Sequence, residues 1–102
     1  WKITRHGQAH PVATAIDSPF MQAACRAVQQ TTAGPPAIVR EGATIPAVAE
    51  FKKILNVDTI LLGFSLNSDL IHAPNEHFSL DRFDLGCRTH AALLSEIAEI
   101  KI

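Results

Sequence analysis

The run Asp58-Thr59-Ile60-Leu61-Leu62-Gly63-Phe64 is apolar without a break once past its aspartate. A short, unbroken apolar run suits a strand covered on both faces, the kind that lies inside a parallel sheet. Upstream, Ala37 to Arg40 reads as a second short strand, with Glu41-Gly42-Ala43-Thr44 as the turn that follows it. Between the two, Val48, Phe51 and Leu55 recur at helical spacing while Lys52 and Lys53 take the wet side, which predicts a helix from about Ile45 to Leu55. Two strands joined by one helix imply a right-handed parallel crossover. The expected class is therefore α/β, with short parallel strands and helices packed on them.

Working outward, Asp17-Ser18-Pro19 is a helix start, with Ser18 as N-cap and Pro19 at the first helical position, where its missing N–H costs nothing. That helix should run to about Thr31, bury Phe20, Ala24, Ala27 and Val28, and stop at Gly34-Pro35-Pro36. A last helix should begin near Ser79 and reach about Glu99, anchored by Phe83, Leu93, Leu94 and Ile97, with Gly86 as its weak point. Trp1 to Ile16 lack helical periodicity and are interrupted by Gly7 and Pro11, so they read as a short strand around Lys2 to Arg5 and an extended connection.

At 102 residues the chain has room for one domain with a modest core. Nine basic residues are scattered among ten acidic ones for a net charge of −1, so there is no basic stripe to neutralise a phosphate backbone, and nucleic acid is not an expected partner. Charged residues make up 19% of the chain, below the usual share of about 25%, and hydrophobic ones 47%. No apolar run reaches the length of about eighteen residues that a membrane span needs. The balance points to a rather apolar surface, with faces that belong against another domain, subunit or segment. Cys25 and Cys87 lie far apart within expected helices, which reads as two buried thiols in a reducing, cytoplasmic compartment. No secretory leader is visible, and the first residue is Trp1 rather than methionine, as in a processed or partial chain.

Two turns could carry chemistry. Arg40-Glu41-Gly42-Ala43-Thr44-Ile45-Pro46 follows an expected strand and opens a helix, so its backbone N–H groups could meet an anion, with Thr44 offering a hydroxyl. Equally, Thr44 could cap the helix and Gly42 could simply turn the chain. His72-Ala73-Pro74-Asn75-Glu76 places a histidine after the long apolar run, where an open α/β protein would put a metal ligand or a base. Its five-residue spacing to His77 matches no helical metal pair, and the carboxylates nearest in sequence, Asp69 and Glu76, have no diagnostic spacing. Ser65, Ser68 or Cys87 could pair with His72, but none sits in a nucleophile elbow. His6, His10 and His90 read as surface or helix-face residues.

Taken together and in this order, the two turns resemble the C-terminal part of the dinuclear-zinc exopeptidase family, which includes carnosinase-type dipeptidases, carboxypeptidase G, aminoacylase and succinyl-diaminopimelate desuccinylase. Its dipeptidase branch carries Arg-Glu-Gly-Gly-Ser-Ile-Pro, a helix, an apolar strand ending in Gly-Phe or similar, and His-Ala-Pro-Asn-Glu before the last helix. Here these read Arg40 to Pro46, Leu61-Leu62-Gly63-Phe64 and His72 to Glu76, and the resemblance extends from about Gly7 to Leu94. It implies that His72 is a zinc ligand, the last of the metal-binding residues in chain order, and that Glu76 is a supporting carboxylate beside it. It also implies that Gly42, Ala43 and Thr44 line the pocket for the substrate's carboxylate or backbone. Ala43 stands where a second glycine is usual and Thr44 where serine is usual, which could narrow that pocket.

The same family carries a His-x-Asp segment, a bridging aspartate and a Glu-Glu pair whose first member is the general base, and neither His-x-Asp nor Glu-Glu occurs here. No catalytic residue is therefore expected in this chain. The resemblance assigns residues 1–14 to the end of a lid domain or a linker strand, and residues 15–102 to the C-terminal part of a catalytic domain. It implies two zinc ions per site in the parent, a peptide or N-acyl amino acid substrate, and association with a missing N-terminal half or with itself. The alternative is a non-enzymatic α/β module, derived from the peptidase half-fold, that binds a partner or self-associates.

Overall fold

The structure, a computed structural model, describes residues 1–4, 9–41 and 45–101. Among these there are three α-helices, α1 (Pro19–Thr31), α2 (Pro46–Leu55) and α3 (Leu80–Ala98), with a 3₁₀ turn at Asn67–Asp69. No described residue forms a strand, which overturns the α/β expectation and its parallel strands. Ala37 to Arg40 and Asp58 to Phe64 carry no regular structure, nor do Lys2 to Thr4; Arg5 lies outside the described residues. A strand is defined by the neighbour that takes its backbone hydrogen bonds, and an isolated apolar segment supplies no such ladder.

The segment from Ile60 to Phe64 nonetheless keeps the two-residue rhythm of extended chain. Ile60, Leu62 and Phe64 are half-buried, while Leu61 and Gly63 are exposed. Contacts with Thr14 and with α3 hold it. The Thr14 hydroxyl donates to the Thr59 carbonyl at 2.7 Å, and the Phe64 ring lies over Gly86 of α3, where an added Cβ would sit 3.4 Å from the ring. Gly86 is thus the site of a close approach within α3.

Helix ends follow local chemistry. The Ser18 hydroxyl accepts the Met21 N–H at 3.1 Å, and the Ser79 hydroxyl accepts the Arg82 N–H at 3.2 Å, each satisfying a donor that has no partner within its helix. At the far end of α1, Thr32 leaves the helical conformation while its N–H and its hydroxyl both donate to the Val28 carbonyl. α2 starts at Pro46 and ends with Asn56 in the left-handed conformation (φ 52°), with Lys52 and Lys53 in the last turn beside the negative end of the helix dipole.

α1 packs on α3, and α2 packs on neither. The contact buries Ala23, Ala24 and Ala27 of α1 and Thr89 of α3, small side chains that let two helix backbones come close. The Thr31 and Thr89 hydroxyls meet at 2.7 Å within it, and Thr89 also donates to the Leu85 carbonyl at 2.8 Å. Most of the large anchors expected from periodicity stay outside, with Phe20 41%, Phe83 61% and Leu94 71% exposed. Val28 and Leu93 are half-buried. At the edge of the pair, Glu96 of α3 accepts from both Arg26 and Gln30 of α1. The Arg26 guanidinium, helped by Gln30, holds the Glu96 carboxyl below the usual carboxylate range against an opposing effect of desolvation.

The two-thiol expectation also changes. Both cysteines are free, but Cys25 is only half-buried and Cys87 is exposed. The radius of gyration is 16.1 Å, against about 13 Å for a compact chain of this length. With so little closure, Phe51, Ile54 and Leu55 of α2 and Leu80 of α3 remain exposed, in line with the apolar surface read from composition.

Candidate functional site

After Phe64 the chain enters a sequence of tight turns that ends at the cap of α3. The 3₁₀ turn Asn67–Asp69 closes through the Asp69 N–H donating to the Leu66 carbonyl at 3.0 Å, and the Asp69 side chain returns to accept the Leu66 N–H at 2.8 Å. Leu70, His72 and Asn75 then adopt positive φ angles of 54°, 63° and 63°. The Ala73 N–H donates to the Leu70 carbonyl at 2.9 Å and the Glu76 N–H to the Ala73 carbonyl at 3.3 Å, so the turns follow one another directly. The His77 N–H donates back to the Asp69 carbonyl at 3.0 Å and closes the loop.

The left-handed region suits Asn75, whose short polar side chain tolerates it, but it strains Leu70 and His72. His72 is exposed, and its imidazole forms no hydrogen bond with another described residue. An open hollow of about 580 Å³ beside the turn is lined by Ser65, Asp69, Ile71, Glu76, His77 and Phe78. Glu76 thus belongs to the wall of this hollow and His72 does not. His77 is held by its own turn, with Nδ1 3.1 Å from the Asn75 carbonyl.

Among the described residues, no three of His, Cys, Asp and Glu gather into a group that could hold a metal ion. His72 can therefore offer one nitrogen ligand, and the described residues do not complete a three-donor set around it. Gly42, Ala43 and Thr44, the candidate substrate-binding turn, lie outside the described residues. Sequence reasoning passed over Asp69, the one buried carboxylate among the described residues, for want of metal-ligand spacing. The available clue was its place three residues after Leu66, where an acidic side chain can reach back to the N–H that opens a turn.

The model of the peptidase family M20/M25/M40 matches residues 1–96. The chain belongs to this family. It is 34% identical over 77 residues to a Cys-Gly metallodipeptidase of Candida albicans, which covers 72% of the chain and 16% of that relative. It is 29% identical over 91 residues to the Beta-Ala-His dipeptidase of Homo sapiens, covering 89% of the chain and 18% of that relative. A Cys-Gly metallodipeptidase of Schizosaccharomyces pombe is 32% identical over 65 residues, 64% of the chain and 14% of that relative. The chain thus spans less than a fifth of the length of each of these M20 relatives. No solved structure is significantly similar to it. Among the described residues of this M20 chain, no helix is long and apolar enough to cross a membrane.

Proposed function

We propose that this chain is the C-terminal part of the catalytic domain of a zinc-dependent dipeptidase or N-acyl amino acid hydrolase, and that His72 is its contribution to the metal site. Residues 1–14 are the end of the lid domain or its linker, and residues 15–102 the catalytic part. The reading is carried by one observation: an exposed imidazole, held on a strained turn and bonded to no other described residue, in a chain that the M20 family covers almost throughout. A nitrogen donor so presented fits a zinc ligand, while the lack of a three-donor group among the described residues fits a site completed by other parts of the parent.

When bound, a pair of zinc ions polarises the scissile carbonyl and activates water. This chain's own work is narrower. His72 offers a neutral imidazole nitrogen, and Glu76, four residues on, supplies a carboxylate that orients neighbouring donors. Gly42, Ala43 and Thr44, which precede α2 in sequence, bind the substrate's carboxylate or backbone. The general base comes from elsewhere in the parent. The exposed apolar side chains of α2 and α3 are covered there by the rest of the catalytic domain.

In the intact parent, His72→Ala should remove zinc-dependent dipeptide hydrolysis and lower the bound zinc measured by elemental analysis. Unchanged activity and zinc content would reject the ligand role. The 102-residue chain alone, given zinc or manganese, should show no dipeptide turnover. Robust turnover would reject the view that its site is completed elsewhere.

A further inference from the structure

Asp69 is 2% exposed, although Ser68 and Leu70 on either side of it are exposed. Withdrawing a carboxylate from water is costly unless donors meet it, so a buried aspartate in an otherwise open turn needs a reason. The bonds it makes supply one. Its Oδ2 accepts the Leu66 N–H at 2.8 Å, its N–H donates to the Leu66 carbonyl at 3.0 Å, and its carbonyl accepts the His77 N–H at 3.0 Å. Asp69 therefore joins both feet of the loop that contains Leu70, His72 and Asn75. Leu70 and His72 are strained in the left-handed region, and such conformations persist only where surrounding structure over-determines them.

We propose that Asp69 is a positioning residue, whose side chain and backbone hold the turn in the strained shape that presents the His72 imidazole. The proposal rests on the reading of His72 as a metal ligand. It does not make Asp69 a ligand, since no metal-binding group forms around it among the described residues.

The test compares Asp69→Ala, Asp69→Asn and His72→Ala in the intact metallopeptidase that carries this segment. Amide hydrogen exchange at Leu66 and His77 is measured on metal-free protein, and zinc affinity separately by competition with a chelator. Asp69→Ala should speed exchange at both amides about tenfold and weaken zinc binding by roughly 10–100-fold, the usual effect of losing a residue that orients a metal ligand. Asp69→Asn keeps an oxygen that can accept the Leu66 N–H, so it should restore protection and most of the affinity. If Asp69→Ala leaves His77 exchange unchanged, the clamp is overturned. Faster exchange with undiminished zinc affinity, in an enzyme where His72→Ala does lose zinc, overturns the positioning role alone. Full zinc retention by His72→Ala overturns the ligand reading, and the positioning role falls with it.

Discussion

The α1–α3 pair and the turn from Ser65 to Phe78 sit side by side in this chain and are held by opposite means. In the pair, serine caps open both helices, alanines let the backbones approach, and Glu96 latches α3 to Arg26 and Gln30 of α1. In the turn, three non-glycine residues take left-handed conformations, most side chains face solvent, and one buried carboxylate closes the loop. The pair relaxes into conformations its residues prefer. The turn holds two of its residues, Leu70 and His72, in conformations they resist. Strain of this kind persists only where surrounding structure over-determines it, and here it lies directly ahead of a serine-capped helix.

That contrast can be broken first at the helix contact. Ala27→Phe forces a large ring into a fully buried site and should cost about 3 kcal/mol, read from urea unfolding followed by helical circular dichroism. A loss well under 1 kcal/mol would mean that the α1–α3 contact is not the core. Ser18→Ala removes a cap and should cost about 1 kcal/mol in the same assay, with an unchanged midpoint counting against the cap.

At the turn the expected sign differs. His72→Gly relieves left-handed strain while adding freedom to the unfolded chain, so stability should stay within about 0.5 kcal/mol of the original. A loss above about 2 kcal/mol would make His72 a structural residue and erase the contrast. The smallest effect is the pH dependence of the latch. Because Arg26 lowers the folded-state pKa of Glu96, the stability it adds is present above the ordinary carboxylate value of about 4.3 and is lost as pH falls through the lowered one. Glu96→Gln should flatten the acid limb of the stability profile, and an identical limb would remove the latch from the account.

The helices were legible because their signals are local. Ser18-Pro19, the Ile45-Pro46 start and Ser79 lie at the observed boundaries, and Thr31 and Leu55 end α1 and α2 as spacing predicts. The sheet was misread because Asp58 to Phe64 encodes only a willingness to be extended; pairing is a property of a neighbour. The core was misread for a related reason. Periodicity marks large apolar residues such as Phe83 and Leu94, yet the helices meet through alanines and Thr89. His72 was legible as a candidate because it follows an apolar run and belongs to a recognisable motif. Asp69 was not, since its worth depends on which N–H groups it reaches.

By itself the sequence determined the three helices, the Ser18 cap, the apolar surface and the kinship carried by Arg40 to Pro46 and His72 to Glu76, because each is written in residues close together along the chain. Tertiary structure alone decided that α1 and α3 join through small side chains, that Phe64 rests on Gly86, and that Asp69 is buried beneath an exposed His72 turn. Those outcomes depend on close approach, and close approach is settled by the packing and backbone hydrogen bonding of segments brought together in space.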